Sequence, residues 1–69
     1  MKYIELNAFL NINGIASSGG NAKHIIRNEE IKVNGVIETR NKKKLNDGDK
    51  VEYQDQVLIV KEEICKKEI

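Results

Sequence analysis

Between Ile31 and Ile37 the chain reads Ile-Lys-Val-Asn-Gly-Val-Ile. Apolar and polar residues alternate on the approach to Asn34-Gly35, the strongest two-residue signal for a β-hairpin. Upstream the apolar spacing is helical. Downstream the chain is built of short runs separated by turn residues. Two helices followed by several short strands give an α+β domain, with a two-helix hairpin packed on one side of a small, mainly antiparallel sheet. Sixty-nine residues make one small domain with a limited core and leave no room for a separate catalytic domain. Tyr3, Phe9 and Tyr53 are the three aromatic residues, so that core must be mostly Ile, Leu and Val.

Taken in order, Tyr3-Ile4-Glu5-Leu6 begins as a short extended piece. Leu6, Phe9, Leu10 and Ile12 then mark one apolar helical face. Asn11-Ile12-Asn13-Gly14 ends that helix, with Gly14 placed as a left-handed cap and Ile15 following as a contact back onto it. Ser17-Ser18-Gly19-Gly20 leads into a second helix, expected over about Gly20 to Asn28. Ser17 or Ser18 caps it by accepting a bond from a first-turn N–H. Ala22, Ile25 and Ile26 form its inward face, and Lys23 and Arg27, four apart, share another. After the hairpin, Glu38 to Lys44 is polar and basic. Asn46-Asp47-Gly48-Asp49 is a second turn. Lys50-Val51-Glu52-Tyr53 reads as a half-buried strand, Gln54-Asp55-Gln56 as a turn, and Val57-Leu58-Ile59-Val60 as a more fully buried strand. Residues 1–61 form the domain, and residues 62–69 a charged tail, either a frayed helix held by Glu62/Glu63 four before Lys66/Lys67 or disordered.

The net charge is only +1, but it is unevenly distributed. Asn21 to Lys44 holds seven cations against three anions, and Leu45 to Ile69 four cations against seven anions. Within the basic part, Arg40-Asn41-Lys42-Lys43-Lys44 places four cations in five residues. Such a loop is often only solvated. It becomes a polyanion site when other cations lie beside it, and phosphates bound there give salt-dependent affinity that is largely blind to sequence. The start of the second helix offers a complementary feature. Gly19 and Gly20 leave the first turn without side chains, and its N–H groups with the helix dipole favour an anion.

Other chemistry finds little support. His24 has no nucleophile or carboxylate partner identifiable in the sequence, and Ser17 and Ser18 have no activating base. Asp47-Gly48-Asp49 lacks the rest of a calcium-loop ladder. Cys65 is the single cysteine, which excludes an internal disulfide and suggests a reducing setting. No catalytic residue, metal or cofactor is therefore expected. No apolar run approaches membrane-spanning length, and the start of the chain lacks the apolar core of a signal peptide, so a soluble cytoplasmic protein is expected. The three aromatics do not form a series along one strand, which argues against stacking of single-stranded bases on the sheet.

The order and spacing of several short pieces carry a resemblance. Leu6-x-x-Phe9-Leu10, Gly14-Ile15, Ser18-Gly19-Gly20-x-Ala22-Lys23, Ile31-x-Val33-Asn34-Gly35, Arg40, Lys42 to Leu45, and Gly48-Asp49-x-Val51 occur in turn. The chain resembles the S-four RNA-binding domain, or αL motif, over about Ile4 to Val60. The Ser-Gly-Gly-x-Ala-Lys version is similar to its small free-standing, YaaA/YbcJ-like subgroup. The resemblance implies two helices against a small curved sheet and an RNA surface formed by the second helix and the basic loop. Position by position, it implies RNA contacts at Ser18, Gly19, Gly20, Lys23, Arg27, Arg40, Lys42, Lys43 and Lys44, with Asn34 and Gly35 structural. Many members carry an arginine directly after the serine, where this chain has Gly19, so backbone donors and Lys23 must act in its place. The implied partner is structured RNA, ribosomal or transfer RNA, with a translation-related role. Two alternatives stay open: an adaptor that binds protein on a larger nucleoprotein machine, and a DNA binder.

Overall fold

A computed structural model describes residues 2–68. Along the chain lie β1 (Lys2–Glu5), α1 (Leu6–Ile12), α2 (Gly19–Arg27), β2 (Ile31–Val33), β3 (Val36–Ile37), β4 (Lys44–Leu45), β5 (Lys50–Tyr53) and β6 (Gln56–Ile59), then a 3-10 turn (Glu62–Ile64) and β7 (Lys67–Glu68). The architecture is α+β, as the sequence implies. The strands divide into two sheets, ordered β4-β1-β7 and β3-β2-β5-β6, and every pairing is antiparallel.

The helical half follows from local chemistry. Leu6, Phe9 and Leu10 are buried on the inner face of α1. Ile12, read from spacing as part of that face, is 57% exposed. Gly14 sits at φ +73°. The Ile15 N–H donates to Leu10 O (3.0 Å) and the Gly14 N–H to Asn11 O (3.2 Å), the paired bonds of a Schellman ending. Ser18, rather than Ser17, caps α2: its Oγ accepts the Asn21 N–H at 3.1 Å, and Asn21 Oδ1 accepts the Ser17 N–H at 3.1 Å. The helix so begins at Gly19, one residue before the expected start. Its far end repeats the Schellman bonds, Glu30 N–H to Ile25 O and Glu29 N–H to Ile26 O. Here Glu29, not a glycine, takes the left-handed position, at φ 62°.

The hairpin at Asn34-Gly35 forms with both residues at positive φ, 53° and 84°, and Val33 opposite Val36. Asn34 does more than turn the chain. Its Oδ1 accepts the Lys50 N–H (3.0 Å), and its Nδ2 donates to Asp49 (3.2 Å), fastening this hairpin to the turn before β5.

Two readings of the second half are corrected. Val57-Leu58-Ile59-Val60 was expected to be a buried strand. Only Val60 is buried; Val57 and Ile59 are 56% and 48% exposed, because β6 is an edge strand with one face open. The segment after Lys61 is likewise neither a frayed helix nor an unstructured tail over residues 62–68. Asp47 Oδ1 accepts the Glu62 N–H (2.9 Å), Cys65 is buried, and β7 pairs with β1. Lys67 reaches Glu5 across that pairing (3.3 Å) rather than a helical neighbour.

One core unites these elements. Phe9, Leu6, Leu10, Ile26, Ile31, Leu45, Val51 and Val60 are its largest fully buried side chains. Among the described residues no charged or polar side chain is buried in it, in line with the cost of desolvating such groups.

Candidate functional site

The basic loop has a defined backbone. α1 starts at Glu5–Leu6 with no side-chain cap, which leaves its first N–H groups in need of acceptors. The loop supplies them: the Leu6 N–H donates to Lys43 O (2.9 Å) and the Asn7 N–H to Asn41 O (3.0 Å). The Lys43 N–H closes a turn onto Arg40 O (3.2 Å), and Lys44 pairs with Glu5 in the β1–β4 ladder. The Asn7 and Asn41 side-chain oxygens are buried alongside, with no donor among the described residues, and water is the usual partner of such oxygens. The result is a loop pinned at both ends, with Lys42 and Lys44 exposed and Lys43 half-buried. These lysines and Arg40 line a shallow depression of about 350 Å³. The Lys44 ammonium lies 5.2 Å from the centre of the Tyr3 ring, within cation–π range.

Arg40 differs from its neighbours. Its guanidinium bonds the Glu38 carboxylate twice, Nε to Oε2 at 2.8 Å and an Nη to Oε1 at 3.2 Å, and its backbone N–H donates to the same carboxylate at 3.0 Å. These bonds hold the Glu38 carboxyl below its ordinary range and push the Arg40 guanidinium up. Arg40 therefore closes the entry to the loop and is already partnered. Lys23, Arg27, Lys42, Lys43 and Lys44 have no ion pair among the described residues.

Along α2, Ala22, Ile25 and Ile26 are buried and Lys23 and Arg27 are exposed, Lys23 in the turn after the capped end and Arg27 at the far end of the helix. The Ser18 hydroxyl is engaged in the cap. Neither Gly19 nor Gly20 has positive φ, and a Cβ at either would meet nothing within 4 Å. The fold thus makes no demand for glycine at these two places, and the first turn of α2 stands open to solvent. His24 is exposed on the same helix and makes no side-chain bond among the described residues. α1 is the element shared by both basic regions, since it packs against α2 and its N-terminus holds the loop.

The carboxylates of the second turn have structural duties. Asp49 accepts the Asn46 N–H (2.8 Å), and Asp47 holds the 3-10 turn. Cys65 Sγ lies near Lys61 O (3.5 Å) behind this turn. Burial, then the nearby Asp47, Glu62 and Asp49 carboxylates, push its thiol up, which lowers its reactivity. Sequence spacing singled out the cations but not Asn41, Tyr3 or Glu38, which set their geometry. Those three act through contacts between segments remote in sequence or through a side chain's turn back on its own loop, and such contacts leave no periodic signal.

The S4 domain family matches residues 1–61, nearly the whole chain, and the chain belongs to that family. S4 domains are RNA-binding in general. No curated protein matches the chain, and no solved structure does. Among the described residues no helix is long and apolar enough to cross a membrane.

Proposed function

We propose that this S4 domain docks without catalysis on structured RNA, ribosomal or transfer RNA, in the cytoplasm and in the service of translation. Phosphates on one side meet the open first turn of α2 at Ser18, Gly19 and Gly20, with Lys23 one turn on and Arg27 further along the helix. Phosphates on the other side meet Lys42, Lys43 and Lys44. Arg40 contributes through its hold on the loop and joins the contact only if Glu38 releases it. The observation that supports this reading is the loop's backbone: the N-terminal donors of α1 fix it and present three lysines that have no ion pair among the described residues. Ordering is then largely complete before RNA arrives, which lowers the entropic cost of association.

Each phosphate neutralised releases counterions, so binding weakens as salt rises, with a slope of about 0.7–0.9 per contact. Lys42, Lys43 and Lys44 changed together to Ala should weaken binding to a folded RNA and flatten that slope by about two to three units. An unchanged slope in a salt titration removes the loop from the interface. Competition between folded RNA and duplex DNA, whose grooves and 2′ positions differ, separates this reading from DNA binding. Partners that survive ribonuclease in a pull-down point instead to a protein adaptor.

A further inference from the structure

Four strands lie at sheet edges among the described residues: β3, β4, β6 and β7. Three of them are two residues long, and two of those, β4 and β7, also carry charge. Short, charged edges are the usual protection against strand-to-strand association. The fourth, β6, is four residues long and reads Gln-Val-Leu-Ile, with no charge, proline or bulge. In a chain that is 33% charged, this edge is undefended.

The direction of its free backbone groups can be read from the ladder. Antiparallel pairs alternate between hydrogen-bonded and non-hydrogen-bonded. The Val60 N–H donates to Asp49 O at 2.8 Å, which sets the phase. Leu58 and Gln56 then bond toward β5, and the N–H and C=O groups of Val57 and Ile59 point outward. The Val57 and Ile59 side chains share the open face of the sheet with their β5 partners, Glu52 opposite Val57 and Lys50 opposite Ile59.

We infer that β6 pairs antiparallel with β6 of a second copy of this chain, Val57 opposite Ile59 of the second copy and Leu58 opposite itself, joining two four-stranded sheets into one of eight. In this register both Val57–Ile59 pairs are hydrogen-bonded, so all four outward groups on each strand find partners. Bonding selects this register, because a shift of two residues in either direction sets Val57 or Ile59 opposite itself and leaves half of the outward groups without a partner in β6. Charge leans weakly the same way. Each row on the open face runs Glu52, Val57, then Ile59 and Lys50 of the second copy, with opposite charges about 14 Å apart at its ends, whereas the shifted rows end in like charges. A foreign strand would share neither this symmetry nor this charge order. The basic loop adjoins β4, in the other sheet, so a dimer leaves it free and carries two basic surfaces. A ladder of this length buries less than the roughly 1,200 Å² of stable complexes, so association is weak and concentration-dependent.

Sedimentation of the full chain from micromolar to millimolar concentration should show a monomer–dimer equilibrium. Amide exchange over the same range should slow at Val57 and Ile59, while Gln56 and Leu58 stay protected throughout. V57K, which replaces the apolar contact with Ile59 of the second copy by a charge on the edge strand, should weaken association by about tenfold or more while circular dichroism shows the fold intact. A monomer at every concentration, with fast exchange at Val57 and Ile59, overturns the inference. So does a dimer indifferent to V57K.

Discussion

The two basic regions are built in opposite ways. The start of α2 is self-contained: Ser18 and Asn21 cap it within four residues, and its cations sit four apart on one helix. The loop from Arg40 to Lys44 has two local devices, the Glu38–Arg40 ion pair and the turn from the Lys43 N–H to Arg40 O. The rest of its shape comes from Leu6 and Asn7, more than thirty positions earlier in the chain. A capped helix forms its surface from its own residues. A charged loop, whose lysines repel one another, needs outside acceptor-seeking groups to hold it. α1 serves both, packing against α2 and donating its first N–H groups to the loop.

That dependence can be broken at α1. Phe9→Ala removes the largest fully buried side chain and should cost about 3–5 kcal/mol. This is a large share of what a domain of this size has. Urea unfolding should show the loss, and RNA binding by both regions should fall with it. A variant that unfolds like the parent would mean that α1 is not the common support.

The α2 side is sharpened by a change expected to stabilise. Gly20→Ala places a methyl group where nothing lies within 4 Å, so the helix should gain up to about 1 kcal/mol. RNA affinity should nevertheless fall, because the methyl stands where a phosphate would approach the backbone. Unchanged affinity beside raised stability would show that no ligand comes close there.

The loop side has a smaller counterpart. Glu38→Gln removes the acid that engages Arg40. Glu38 is largely covered but the Arg40 side chain stays open to solvent, which screens the pair, so stability should change little. Freed Arg40 should steepen the salt dependence of RNA binding by about one unit. Acid should act in the same direction. Because the Glu38 carboxyl titrates lower in the folded chain, the pair's contribution is present above the ordinary carboxylate range and is lost as pH falls through the lowered value. A salt slope that stays put in the variant would keep Arg40 out of the interface.

The same contrast explains what could be read from sequence. Gly14 and Asn34-Gly35 announced themselves, and the cap of α2 was narrowed to Ser17 or Ser18, because each meets a local backbone requirement with a residue suited to it. β4 and β7 did not, since two residues carry no period and their pairing with β1 depends on distant chain. Val57 to Val60 misled, as an apolar run looks the same whether it lies in the core or at an open edge. Glu29 hid the left-handed end of α2 behind a residue that rarely takes that conformation. The cations of the site were legible as residue types, and Arg40's engagement with Glu38 became visible only in three dimensions.

The central claim is that two regions of unlike construction form one phosphate-binding surface. Titration of the isotope-labelled chain with a folded RNA hairpin, followed amide by amide, tests it directly. The account predicts that the amides of Gly19, Gly20 and Lys23 and those of Lys42, Lys43 and Lys44 shift together, with one midpoint that moves with salt. Shifts confined to the open sheet face around Glu52 and Val57, or separate midpoints for the two basic regions, would contradict it.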